Sequence, residues 1–206
     1  MTGRFVVLEG GDGSGKSTQR DLLVAWLQAA GIDAVATLEP GGTALGGSLR
    51  KLLLDGESIA PRAEALLMAA DRAQHIADVI RPALARGAWV VSDRHVPSSL
   101  VYQGLVRGLG IDEVEALSVF SADGLVPDLV VVLDVDDTTA DQRRSPSADR
   151  MEREGGAFHE QVRSAYRQLA AANGWTVVDG GAAPEVVAER IRAVVRPLVN
   201  AESTPS

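Results

Sequence analysis

Residues 10–18 read Gly10-Gly11-Asp12-Gly13-Ser14-Gly15-Lys16-Ser17-Thr18, and the first eight fit the spacing G-x-x-x-x-G-K-[S/T]. Glycines at this density let successive backbone N–H groups converge on one concavity, where they hold phosphate oxygens. A helix beginning at Lys16 would add the partial positive charge of its N-terminus. In such a loop the Lys16 ammonium reaches the β- and γ-phosphates of a nucleotide, and the Ser17 hydroxyl ligates Mg²⁺. A second candidate is Asp93-Arg94, because an arginine can fork onto a phosphate as a lysine cannot. A third is the group Arg143, Arg144, Arg150 and Arg153, which brackets Ser145-Pro146-Ser147. Arginines there could close over a transferring phosphoryl group, whose charge spreads over equatorial oxygens. The loop alone fits kinases, GTPases and noncatalytic nucleotide switches. The guanine-reading Asn-Lys-x-Asp is absent, since the only lysines are Lys16 and Lys51.

These residues need a scaffold, and the apolar pattern supplies one. Short apolar runs at 5–8, 34–38, 88–92, 129–135 and 175–178 read as buried strands. Helical periodicity spans about 16–30, 62–86, 98–107, 112–123, 138–144, 158–169 and 186–198. Pro61 suits a first helical position, and Pro82 should kink or end the long helix. Continuous apolar strands alternating with helices imply an α/β fold, a five-stranded parallel sheet covered on both faces. Ligands of such sheets lie at the carboxyl ends of the strands, which puts the loops after Leu8, Leu38, Ser92 and Val135 on one rim. Neither a repeat nor a low-complexity linker divides the chain, so residues 1–200 are expected to form one domain, with a frayed tail at 201–206.

Composition narrows the function classes. The 206 residues carry no cysteine, which excludes thiolate chemistry, cysteine-ligated zinc and a disulfide scaffold. The net charge of −8 opposes binding to a nucleic acid polymer, but not to a small phosphorylated ligand met by local cations. No charge-free stretch exceeds about twelve residues, against the ~20 a membrane span needs. Glu9 interrupts the N-terminal apolar run, so a signal peptide is not expected. The expectation is a soluble, cytoplasmic protein.

Several motifs occur in order: the loop of 10–17, Glu39-Pro40-Gly41-Gly42-Thr43, Ala70-Asp71-Arg72-Ala73-Gln74-His75, Asp93-Arg94-His95, Ser98-Ser99-Leu100-Val101-Tyr102-Gln103-Gly104, Pro127-Asp128-Leu129 and Asp149-Arg150-Met151-Glu152. Together they resemble the thymidylate kinases, P-loop nucleoside-monophosphate kinases that convert dTMP to dTDP with ATP. The resemblance covers nearly the whole chain and implies a three-layer P-loop kinase fold with a short lid at about 142–153. It also implies ATP as donor, Mg²⁺ held by Ser17 and Asp12, dTMP as acceptor, and a homodimer. By the same resemblance Arg94 holds the acceptor phosphate beside the γ-phosphate, with Asp93 and Lys16 in the catalytic set. Asp12 faces the acceptor sugar and the metal. Arg72 donates to the thymine carbonyl edge, Ser98 and Ser99 lie near the base, Tyr102 crowds a 2′-OH, and Gln103 belongs to the same site. Glu39 and Pro40 line the acceptor site through a candidate cis bond. The catalytic arginine would come from the lid, Arg143 or Arg150.

Three positions depart from the family pattern. Met68 stands where a thymine-stacking phenylalanine is usual, Leu38 stands where an arginine or serine is common, and the lid looks short. Alternative readings are a kinase for another nucleoside monophosphate, such as dUMP, or a noncatalytic switch. No general base is required, because a phosphate monoester is largely dianionic at neutral pH. His75 and His95 are therefore read as packing or hydrogen-bonding residues, His159 as a surface residue, and Trp26, Trp89 and Trp175 as core.

Overall fold

The computed structural model describes residues 3–55, 58–143, 150–151 and 154–202. Its centre is a sheet of five strands, all parallel: β1 (Phe5–Glu9), β2 (Ala34–Leu38), β3 (Trp89–Asp93), β4 (Leu129–Asp134) and β5 (Thr176–Asp179), in the spatial order β2-β3-β1-β4-β5. The expected α/β fold with a five-stranded parallel sheet is the one observed. Every residue of β1 and β3 is buried. Alternation along β1 sends Val6 and Leu8 to one face and Phe5 and Val7 to the other.

The first face is covered by α1 (Lys16–Ala29) and α9 (Pro184–Glu202), which contribute Leu23, Leu27, Val187, Ile191 and Val195 to its cluster. Before α9 the chain runs through α2 (Ala44–Leu54), α3 (Pro61–His75), α4 (Arg81–Ala85), α5 (Val96–Ser99), α6 (Ile111–Ala122), α7 (Asp137–Arg143) and α8 (Gly156–Asn173). Leu53 of α2, Val114 of α6 and Val162, Tyr166 and Leu169 of α8 pack together on the opposite side from α1 and α9. The result is three layers, helices on both faces of the sheet.

Three local features differ from the sequence expectation. The periodicity does not mark α2, whose first turns hold Gly46 and Gly47, both poor helix formers. The helix is fixed instead by Thr43, whose Oγ1 accepts the Gly46 N–H at 2.9 Å, and by burial of Leu49, Leu53 and Leu54. The long helix does not end at Pro82. It widens into a π turn over Ile76–Ile80, where the Arg81 N–H donates to the Ile76 carbonyl, and resumes as α4. The wider turn makes room for a ring that would clash with the carbonyl four residues back. A second π segment, Leu100–Val106, follows α5 and carries Tyr102 and Gln103. Trp89 is fully buried, while Trp26 and Trp175 are partly buried against the clusters. His159 is buried rather than on the surface: the Phe158 ring meets its edge at 5.6 Å.

Two parallel pairings bring the rim together. Leu8 pairs with Asp93, Glu9 pairs with Val132, and the Arg94 N–H donates to the Leu8 carbonyl at 2.9 Å. The loop after β1 thus lies beside the segment after β3. Strand order reverses at β1, the switch point where ligands of such sheets bind.

Candidate active site

The phosphate loop connects β1 to α1, and two of its glycines are required by geometry. Gly10 has φ 138°, and a Cβ there would lie 2.5 Å from the Leu133 carbonyl oxygen; Gly13 has φ 80°, and a Cβ there would collide with the Ala140 carbonyl of α7. Lys16 is buried, and its Nζ donates to the carbonyls of Gly11 at 2.8 Å and Gly10 at 3.1 Å. Burial, reinforced by the nearby Arg94, lowers the Lys16 pKa. Ser17 donates its hydroxyl to the Asp93 carboxylate at 2.6 Å. A hydroxyl and a carboxylate at the end of a phosphate loop suit Mg²⁺, which takes one or two carboxylates plus phosphate oxygens. The carboxylate of Asp12 is already engaged by Arg94 at 2.5 Å and by the Tyr102 hydroxyl at 3.3 Å.

Among the described residues Arg94 is one of two non-glycine residues with positive φ, at 74°, a strained conformation for a side chain of its size. The strain is held by its surroundings. Ser92 donates to the Arg94 carbonyl at 2.8 Å, and the Glu9 carboxylate accepts the backbone N–H groups of His95 at 2.9 Å and Ser98 at 3.2 Å, the latter shared with the His95 carbonyl at 3.1 Å. The guanidinium donates to Asp12, Ser98, Tyr102, Tyr166 and the Gly10 carbonyl. Burial alone would lower its pKa, but Tyr102, Asp12 and their neighbours hold it well above the usual value. The same pairing brings the Asp12 pKa below its usual value against the opposing effect of burial.

A buried polar cluster supports the other wall. Glu39, joined to Pro40 by a cis bond, accepts from Arg72 Nε at 3.0 Å, His75 Nδ1 at 2.9 Å and His95 Nδ1 at 2.8 Å. Both Nδ1 atoms therefore carry a proton toward Glu39, and His75 Nε2 pairs with the Thr37 hydroxyl. Burial pushes the Glu39 pKa up, yet its cationic and hydrogen-bonding partners hold it well below the carboxylate range. Burial lowers the His95 pKa, so its neutral form fits. Arg72 also donates to Ser99 at 2.9 Å, a span from α3 across the rim.

These elements enclose a cleft of about 520 Å³. Asp12 to Thr18, Glu39, Pro40, Met68, Arg72, Asp93, Arg94, Ser98, Ser99, Tyr102, Gln103 and Arg143 all line it, so the geometry brings together nearly every residue singled out from the sequence. Gly10 and Gly11 contribute their carbonyls to Lys16 rather than to the wall. The two named lid arginines part company. Arg143 lies at the cleft but is tied to the carbonyls of Gly180, Gly181 and Ala182. Arg150 is not gathered there; it donates to the Leu53 carbonyl at 2.9 Å and to Glu64 at 2.6 Å. Arg144, Glu152 and Arg153 lie outside the described residues, as do the Ser-Pro-Ser break and Asp149. No motif marks three further buried polar residues as part of the site: Glu9, Glu64 and Tyr166. Glu64 accepts from Gln103 at 2.8 Å as well as from Arg150.

Comparison with known proteins agrees with this geometry. A family model described as thymidylate kinase matches residues 8–191. A thymidylate kinase of Clavibacter sepedonicus is 50% identical over 207 residues, covering 98% of each chain. One from Leifsonia xyli subsp. xyli is 51% identical over 195 residues, covering 92% of this chain and 93% of the relative. One from Bifidobacterium longum is 46% identical over 205 residues, covering 96% of this chain and all of the relative. Matched by the family model over most of its length and about half identical to these enzymes nearly end to end, the chain belongs to the thymidylate kinase family.

Proposed function

We propose that the cleft transfers the γ-phosphoryl group of ATP to the 5′-phosphate of dTMP, giving dTDP and ADP and feeding dTTP synthesis. The observation that carries this reading is the seat of Arg94. Its guanidinium is ion-paired to Asp12 of the phosphate loop itself, so an anion that replaced Asp12 would lie directly against the nucleotide phosphates. A nucleotide switch has no use for a second anion site at that spot.

The chain's residues divide the work. The loop N–H groups and Lys16 hold the donor phosphates, with Thr18 in the same wall. Arg94 takes the acceptor phosphate at the guanidinium edge that Asp12 occupies. Arg72 and Gln103, fixed by Glu39 and Glu64, meet the base edge, while the apolar Leu54, Met68 and Met151 suit the thymine ring and its methyl. Mg²⁺ held near Ser17, Asp93 and Asp12 would neutralise charge on the phosphates when bound. An acceptor phosphate oxygen forms a bond to the γ-phosphorus as the bond to the β–γ bridging oxygen breaks, and ADP leaves with that electron pair. The acceptor is already a dianion, so no side chain need remove a proton. Positioning and charge stabilisation are then the whole catalytic task. Arg143, or Arg150 after release from Glu64, would supply the remaining positive charge.

Two further expectations accompany this reading. A homodimer is supported by the exposed apolar side chains of Leu66 on α3 and Val119 and Phe120 on the adjoining α6. No helix among the described residues is long and apolar enough to cross a membrane, and the cytoplasm, where ATP is supplied, is the compartment the reaction requires.

A coupled ADP-release assay with Mg²⁺-ATP tests the proposal. ADP should appear only when dTMP is added. ADP release that is equal with and without dTMP would mark an ATPase or a switch instead.

A further inference from the structure

We propose that Tyr166 is a positioning residue for the acceptor phosphate, acting through Arg94 by a hydroxyl that the arginine shares with the buried carboxylate of Glu9. The inference rests on the reading of Arg94 as the acceptor-phosphate residue.

Tyr166 lies on α8, is 2% exposed, and is not part of the cleft wall. Its hydroxyl meets Glu9 Oε2 at 2.8 Å, Ser98 Oγ at 2.9 Å and Arg94 Nη1 at 3.1 Å. Glu9, the last residue of β1, is completely buried. One of its oxygens accepts the backbone N–H groups of His95 and Ser98; the other accepts the hydroxyls of Ser98 at 2.7 Å and of Tyr166. All four partners present donors, so the arrangement suits an unprotonated carboxylate even though burial raises the Glu9 pKa. The two hydroxyls share their two protons among Glu9 and each other, and both turn lone pairs toward Arg94, whose Nη1 donates to them and to the Gly10 carbonyl at 3.2 Å.

This pins one edge of the guanidinium. The other edge, Nη2, faces Asp12 and Tyr102. An arriving phosphate can exchange with Asp12 at Nη2 while Nη1 stays fixed, so the arginine need not reorder. Ordinary core packing would need only the Tyr166 ring, which has Tyr102 edge-on at 6.4 Å. It would not need the hydroxyl.

The test uses Tyr166→Phe, Arg94→Lys and the double variant. dTMP, thymidine (the same nucleoside without phosphate) and ATP are each titrated calorimetrically, with a thermal melt of every protein. Tyr166→Phe should weaken dTMP about three- to tenfold. Thymidine and ATP should stay within about twofold, and the dTMP loss should vanish when Arg94 is already Lys. An unchanged dTMP affinity overturns the inference. So does a loss shared equally by thymidine, or one that persists in full beside Arg94→Lys. If Arg94→Lys by itself leaves dTMP binding intact, the acceptor-phosphate reading fails instead. Should Tyr166→Phe fail to fold, Ser98→Ala removes the second hydroxyl between Glu9 and Arg94; it should weaken dTMP while ATP stays within about twofold, and that loss too should vanish beside Arg94→Lys.

Discussion

At the scale of single residues, the carboxylates around the acceptor wall set opposing pH dependences. Asp71 accepts the Gly41 N–H at 3.1 Å, while burial and then the charge of Glu39 raise its pKa to about 6. Its neutral form is favoured by folding, so the stabilisation is complete below its unfolded value and is lost as pH rises through about 6. Glu39, held low, has the reverse sign and loses its contribution as pH falls. Asp71→Asn keeps an acceptor for Gly41 but cannot ionise. Its melting temperature relative to the parent should therefore rise between pH 4 and 8, a trend thermal melts across that range (roughly two units either side of the transition) would check. Met68 is a second residue-scale case. Met68→Ala should weaken dTMP about two- to tenfold, the loss of a sulfur–aromatic contact, with ATP affinity unchanged. Lys16 and Arg94 stand out in the sequence because their motifs suit phosphate, and Arg72 through the family resemblance; the structure brings all three to one cleft. Glu9, Glu64 and Tyr166 do not stand out. In a sequence, a buried carboxylate with four donors looks the same as a solvated one, and Tyr166 looks like any apolar position on the inner face of α8.

The elements were legible where apolar runs were long. All five strands fall within a residue or two of the apolar segments; β1 and β3 are clearest, because a strand buried on both faces must be apolar throughout. Capping and backbone detail were less visible. Helix α2 depends on one side-chain cap and a few buried leucines that outweigh its glycines. Thr43→Ala should therefore cost about 1 kcal/mol in a denaturant melt. The π segment at Leu100–Val106 was read as ordinary helix, since its extra residue per turn leaves no trace in the pattern. The lid arginines also separate at this scale. Arg150→Ala would leave the fully buried Glu64 with Gln103 and the more distant Arg107 at 3.6 Å, so stability should fall by about 1–3 kcal/mol. Arg143→Ala removes only hydrogen bonds to partly exposed carbonyls and should melt within about 0.5 kcal/mol of the parent. Equal losses in the two variants would contradict this placement.

Across the whole molecule, a net charge of −8 coexists with a cleft lined by Lys16, Arg50, Arg72, Arg94 and Arg143 against Asp12, Glu39 and Asp93. The excess of cations there favours polyanionic nucleotides although the chain as a whole repels them. Sequence order predicted the rim, because parallel strands joined by helices place all their carboxyl ends on one side. It could not show that Asp12 and Arg94 pair across 82 positions, which follows from the β1–β3 register. The exposed surface of α6 gives a prediction at this level. Phe120, 85% exposed in the single chain, would be covered in the proposed homodimer, so Phe120→Asp should shift sedimentation to the monomer without unfolding the chain. In the proposed reaction the cleft joins a donor half at Lys16 to an acceptor half at Arg94. Calorimetric titration of ATP and dTMP, separately, into folded Lys16→Ala and Arg94→Lys separates the two halves. A crossed result is expected: Lys16→Ala loses ATP and keeps dTMP, whereas Arg94→Lys keeps ATP and loses dTMP by at least about tenfold. The opposite crossing, with ATP lost from Arg94→Lys and dTMP kept, would contradict it.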